Sequence, residues 1–132
     1  MALTGDDRLE IQDLVARYCH AVDDGDGPAF AATFTEAGVL DAGALVVEGR
    51  PALARFAEGL PRSRRAPRHV ATNLVIEGDG ARATVRAYVQ MYALEGDPPR
   101  QELVASGRYA DELVKRDDRW LFERRVFTRD DG

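Results

Sequence analysis

Cysteine is almost absent from this 132-residue chain. Cys19 stands alone, so no internal disulfide can form, and a reducing compartment is the expectation. Histidine is nearly as scarce: His20 and His69, even with Cys19, are too few and too scattered for a zinc site, and neither CxxC nor HExxH occurs. No metal site is expected. GxGxxG, GxxxxGK[ST] and GxSxG are also missing, which removes the glycine-rich phosphate cradles and the nucleophile elbow. No apolar run approaches the ~18 residues of a membrane span, and the opening MALTGDDRLE carries no apolar signal segment. A cytoplasmic protein without membrane contact is the expectation. Lysine is reduced to Lys115; every other basic residue is arginine, a bias that weakens each arginine as a functional hint. The net charge of −5 and a pI near 5.0 argue against a nucleic-acid partner.

What is present is periodic. The length fits one domain spanning 1–132, large enough to bury a real core. Thr4 with Asp7 reads as a capping box, and Ile11, Leu14, Val15, Tyr18 and Val22 follow one helical face as far as Asp23–Gly25. Asp26 caps a second short helix, on which Phe30 and Phe34 stand one turn apart, with Gly38 as its exit. Two short strands follow at Val39–Asp41 and Leu45–Glu48. A third helix opens at Pro51 and ends at Pro61. Strands are then predicted over Arg68–Glu77, Ala81–Tyr92, Glu102–Val114 and Trp120–Thr128, the first pair joined by Gly78–Asp79–Gly80. Helices first and a long antiparallel meander after them predict an α+β domain, with helices on one face of a curved sheet and a pocket between the layers.

Three groups of residues could carry chemistry. Tyr18 lies on the apolar helix face, so its hydroxyl needs a partner. Asp23, five residues on, sits where the helix frays and can turn toward a pocket, or can simply cap or face water; His20 points elsewhere. His69 opens a strand in RHVATN, sharing a face with Ala71 and Asn73 if alternation holds. Its imidazole is either a proton-transfer group, its tautomer fixed by an aspartate, or a structural histidine bonded to backbone. Asn73, Tyr88, Gln90, Tyr92, Tyr109 and Asp111 could line a pocket, or equally face water or another subunit. Arg124 and Arg125 occupy opposite faces of the last strand, so one can point inward and would then need a carboxylate or an anionic ligand. Arg62, Arg64, Arg65 and Arg68 form a basic loop with no aromatic interleaving.

The segments IQDLVARYCHAVDDGD, FAATFTEAGVL, EGRPALARF, RHVATN, GRYAD and WLFERRV, in this order and spacing, resemble the SnoaL-like branch of the nuclear transport factor 2-like superfamily from about Ile11 to Phe127. The resemblance implies a single SnoaL-like domain with a core at about 8–128. It also implies a cone: three N-terminal helices on a strongly curved, mixed but mostly antiparallel sheet enclosing a pocket, commonly paired as a homodimer through the sheet's outer face. Scytalone and bile-acid dehydratases, steroid delta-isomerases and polyketide cyclases share this family, generally without cofactors. The dehydratase pattern of a tyrosine and an aspartate five apart, with a histidine in R-H-x-x-x-N, falls here on Tyr18, Asp23 and His69, with Asn73 beside them. The positions matching further bile-acid dehydratase residues hold Tyr88, Gln90 or Tyr92, then Arg124 or Arg125, and the acid on the following strand is missing. The resemblance therefore implies a lyase (dehydratase) or isomerase acting by His/Asp proton transfer. Its substrate would be a hydrophobic polycyclic or ketone-bearing small molecule such as a polyketide or steroid. A non-catalytic small-molecule-binding or protein-assembly domain of the same fold is the alternative.

Overall fold

The computed structural model describes residues 1–132. Helix α1 (Gly5–Asp24) starts on the capping box: the Thr4 hydroxyl accepts the Asp7 amide at 3.0 Å and the Asp7 carboxylate accepts the Thr4 amide at 3.0 Å. Its buried face carries Ile11, Leu14, Val15, Tyr18 and Val22. The helix closes at Gly25, φ +67°, where a Cβ would also lie 2.8 Å from the Pro61 ring, so both conformation and space call for glycine. Helix α2 (Gly27–Ala31) is shorter than expected. The Thr33 hydroxyl turns back to the Phe30 carbonyl, and Phe34 leaves the helix to begin strand β1 (Phe34–Asp41), where it pairs with Phe122. Strand β2 (Val46–Glu48) leads to helix α3 (Arg50–Ser63). That helix passes Pro61 because a missing amide in the last turn breaks only one intrahelical bond, and Arg64 still donates to the Leu60 carbonyl.

Four long strands complete the chain: β3 (Arg65–Gly78), β4 (Arg82–Glu95), β5 (Arg100–Arg116) and β6 (Arg119–Arg129). They join one six-stranded sheet in the order β2-β1-β6-β5-β4-β3, antiparallel except for the parallel β1–β6 pair. The alternation expected for β4 holds, with Ala83, Val85, Ala87 and Val89 buried and Arg86 and Tyr88 exposed. The helices pack on that buried face, and one core cluster joins Ile11, Leu14, Phe30, Leu53, Val85 and Phe122.

The cone is a correction. The sheet is open, with β2 and β3 as separate edges, and it neither closes nor curves strongly around a pocket. Closure requires the edge strands to pair, and the three residues of β2 offer too little ladder for that. Irregularities are local instead, at Thr72/Val75 in β3, Met91/Tyr92 between β4 and β5, and Glu112/Leu113 between β5 and β6. Asp7 ties α1 to the β5–β6 hairpin, accepting from Lys115 Nζ and Trp120 Nε1, each at 3.0 Å.

Candidate functional site

Asp23, in the last turn of α1, reaches His69 on β3 across 46 positions of sequence. Its Oδ1 lies 2.6 Å from His69 Nδ1, and both its oxygens accept the His69 backbone amide, at 3.1 and 2.9 Å. A carboxylate only accepts, so Nδ1 carries the proton of this contact, and Nε2 is the ring nitrogen left without a protein partner. Both side chains are largely buried, at 14% and 8% exposure. One carboxylate thus fixes the ring's tautomer and the strand beneath it.

Tyr18 and His69 both line an apolar cavity of about 190 Å³, as does Tyr109 on β5. Burial pushes the Tyr18 phenol up to about 12, with the Arg125 guanidinium pulling the other way. Burial likewise holds Tyr109 well above its ordinary value. Both hydroxyls therefore remain protonated donors at neutral pH. Tyr18 packs against Phe30, Phe34, Tyr109 and Phe122, with ring centroids 4.7–6.1 Å apart. Beneath these rings Arg125 is fully buried, its Cζ 3.4 Å from the Tyr109 ring centre and 4.3 Å from that of Tyr18. Asp111 holds it by two bonds, at 2.9 and 3.3 Å, while Nη1 has no partner. Desolvation raises the Asp111 carboxyl to about 6 despite the guanidinium beside it.

The remaining candidates are dispersed. Asn73 does not share His69's face: at φ +58° it sits in the β3 irregularity and is exposed, because the extra residue reverses the alternation. Tyr88 and Gln90 face outward on β4, with Arg108 stacked 5.5 Å from the Tyr88 ring centre. Tyr92 is half-buried but lines a wide, open cleft of about 910 Å³ on the other flank of His69, together with Gln12, His20, Arg68 and Gln101. That cleft is larger, yet half its lining is polar; the small apolar cavity is the one lined by both His69 and Tyr18. Arg124 points away from the cavity and pairs with Asp41, so of the two arginines Arg125 is the inward one. The basic loop is no loop: Arg62 lies in the last turn of α3, while Arg65 and Arg68 stand in the first residues of β3, where Arg65 donates to the Gly96 carbonyl and Arg68 to that of Pro67. Cavity residues absent from the sequence expectation include Leu40, Phe56, Met91, Phe127 and Arg129. For the last two a signal existed, since Arg125, Phe127 and Arg129 alternate onto one face of β6.

No three His, Cys, Asp or Glu side chains come together as a metal site would need, and no helix is long and apolar enough to cross a membrane. Comparison with known proteins gives the family. The family described as SnoaL-like domain matches residues 4–126. No curated protein matches the sequence. Among solved structures, the chain is similar to Rv3472(D26N), a function unknown protein from Mycobacterium tuberculosis, at 36% identity and a TM-score of 0.87, over 93% of this chain and 71% of that one. It is also similar to a protein of unknown function with a cystatin-like fold from Nostoc punctiforme PCC 73102, at 26% identity and a TM-score of 0.87, over 98% and 96% of the two chains. A third likeness is to the protein from Novosphingobium aromaticivorans DSM 12444 called "Putative Scytalone Dehydratase", at 25% identity and a TM-score of 0.81, over 92% and 83%. With a family match over nearly its whole length and a layout shared with these structures, the chain belongs to the SnoaL-like domain family.

Proposed function

We propose that the protein is a cofactor-independent lyase or isomerase that moves a proton on a ketone-bearing, apolar small molecule. The observation that carries this reading is the 2.6 Å Asp23–His69 contact at the wall of an apolar cavity shared with Tyr18. His69 Nε2 removes a proton beside a carbonyl while Asp23 holds the ring, and Tyr18 donates a hydrogen bond to the oxygen on which charge develops. In a dehydration, the protonated imidazole then assists hydroxide as it leaves as water; in an isomerisation, it returns the proton to another carbon. The name of the N. aromaticivorans relative is in keeping with the first course.

A panel of hydroxylated steroids, polyketide-like ketones and single-ring β-hydroxyketones, followed by NMR in D₂O, tests it. Loss of water or uptake of deuterium beside the carbonyl is expected, falling about 10²–10⁴-fold in His69→Ala. Asp23→Asn should lower turnover while the fold persists. Equal rates in parent and His69→Ala refute the reading. Binding without turnover in the parent favours the alternative, a binding or assembly domain, in which Asp23 serves only to fasten the His69 amide. A second copy of the chain is proposed to cover the sheet's outer face, where Val70, Tyr88 and Leu103 stand 42–51% exposed.

A further inference from the structure

The cavity beside His69 has few polar features. Most of its wall is apolar, and its charged or titratable side chains other than the two tyrosines are His69 and Arg129. Its volume of about 190 Å³ falls short of the ~300–1,000 Å³ usual for drug-sized ligands and is close to the ~150 Å³ of an engineered apolar cavity that takes benzene. One ring fits inside.

Arg129 stands on the same face of β6 as Phe127 and Arg125, at the rim, and is about half exposed. His69 lies on β3, three strand spacings away, and the rows His69–Met91–Ala105 and Gly107–Arg129 are offset by two residues along the sheet. The two backbones are thus roughly 15 Å apart, and both side chains line the one cavity between them. Arg129 also already holds a carboxylate: Asp131 accepts from its Nε at 2.8 Å and from its second amino nitrogen at 3.3 Å, the side-on fork by which guanidinium takes a carboxylate ligand.

We propose that Arg129 recognises a carboxylate on the substrate, so that the substrate class is a single-ring oxo acid with the ring in the cavity, its carbonyl at Tyr18 and His69, and its carboxylate on the guanidinium in the place now taken by Asp131. This deepens the function proposed above and rests on it for the identity of the cavity. Asp131 is then an internal stand-in that the substrate displaces.

Calorimetric titration with 3-oxocyclohexanecarboxylate and its neutral isostere, 3-oxocyclohexanecarboxamide, tests the assignment. The carboxylate should bind about tenfold tighter than the amide. In Arg129→Gln that preference should vanish with amide binding retained. In Asp131→Asn the carboxylate should bind several-fold tighter than in the parent while the amide is unchanged. Equal affinities in the parent, a preference that survives Arg129→Gln, or an Asp131→Asn variant indistinguishable from the parent each overturn the proposal. Deuterium uptake at the ring carbons, read on the same samples, separates the two readings. Selective binding without exchange refutes the proton-transfer function and keeps Arg129, exchange without selectivity does the reverse, and the absence of both defeats both.

Discussion

Replacing Asp111 by Asn removes one charge from a pair that has no contact with water. Asp111 and Arg125 side chains are each fully buried, and the bidentate contact supplies the guanidinium's only protein hydrogen bonds, since Nη1 already lacks a partner. The substitution keeps shape but leaves the buried cation uncompensated, which costs about 3–5 kcal/mol. A chain of 132 residues unfolds with an entropy of about 0.28 kcal/mol/K, so the melting temperature should fall by about 11–18 °C. Thermal unfolding followed by circular dichroism at neutral pH measures it. The double variant Asp111→Leu/Arg125→Met removes both charges from an aromatic surround, and most of the lost stability should return. A fall of less than about 4 °C in the single variant, or a double variant that melts no higher than the single, would show that the pair is not uncompensated in the way its geometry implies.

Tyr18→Phe keeps the ring within its aromatic cluster, so melting should move by no more than about 2 °C, while turnover drops about 10–10³-fold, or ~1.4–4 kcal/mol of transition-state stabilisation; an unchanged rate removes the hydroxyl from the reaction. Asp7 is held well below the usual carboxylate range by the Thr4 amide first, then by Lys115 and Trp120. A depressed folded value gives stability that is complete above the unfolded value of ~3.9 and is lost as pH falls toward the folded one. The melting deficit of Asp7→Asn should therefore be constant from pH 7 to about 4 and shrink below that, and a deficit independent of pH contradicts the assignment. Sedimentation equilibrium should find a particle near twice 14.5 kDa that Tyr88→Glu converts to the single mass; a parent already at 14.5 kDa excludes the dimer.

Local signals carried much of the fold. Thr4 and Asp7 announced the start of α1, the small and large apolar residues of β4 announced its inward face, and Tyr18 belonged to a helical stripe that had to be buried. Where the reading failed, an element changed state for a reason outside its own segment. Phe34 has helical spacing to Phe30, but Phe122 on the last strand claims it for the sheet. Asn73 has strand spacing to His69, but one extra residue reverses its side, and nothing in ATNLV marks that place. The site follows the same rule. Tyr18, Asp23 and His69 were each visible as residues, and the resemblance grouped them. Asp111 and Arg125 stand directly opposite in the β5–β6 register, yet the shift at Glu112/Leu113 makes that pairing legible only once the strands are laid side by side. Arg129 was hidden by its position near a polar tail, although the alternation from Arg125 passes through it.

The contact between Asp23 and the His69 amide has a consequence for how the molecule avoids its own kind. An open sheet offers unpaired backbone to any extended chain, and the longer of its two free margins is the 14-residue β3. An incoming strand would need the His69 amide as a donor there, but that amide is already bonded to a carboxylate, and a visitor's carbonyl would meet negative charge instead. Two residues earlier Pro67 has no amide to give, and four residues later the Asn73 irregularity bends the margin away from the straight path an added strand must follow. The carboxylate that orients the imidazole thus also blocks strand addition along the most vulnerable border of the protein, so one side chain both holds the ring and guards the sheet's edge.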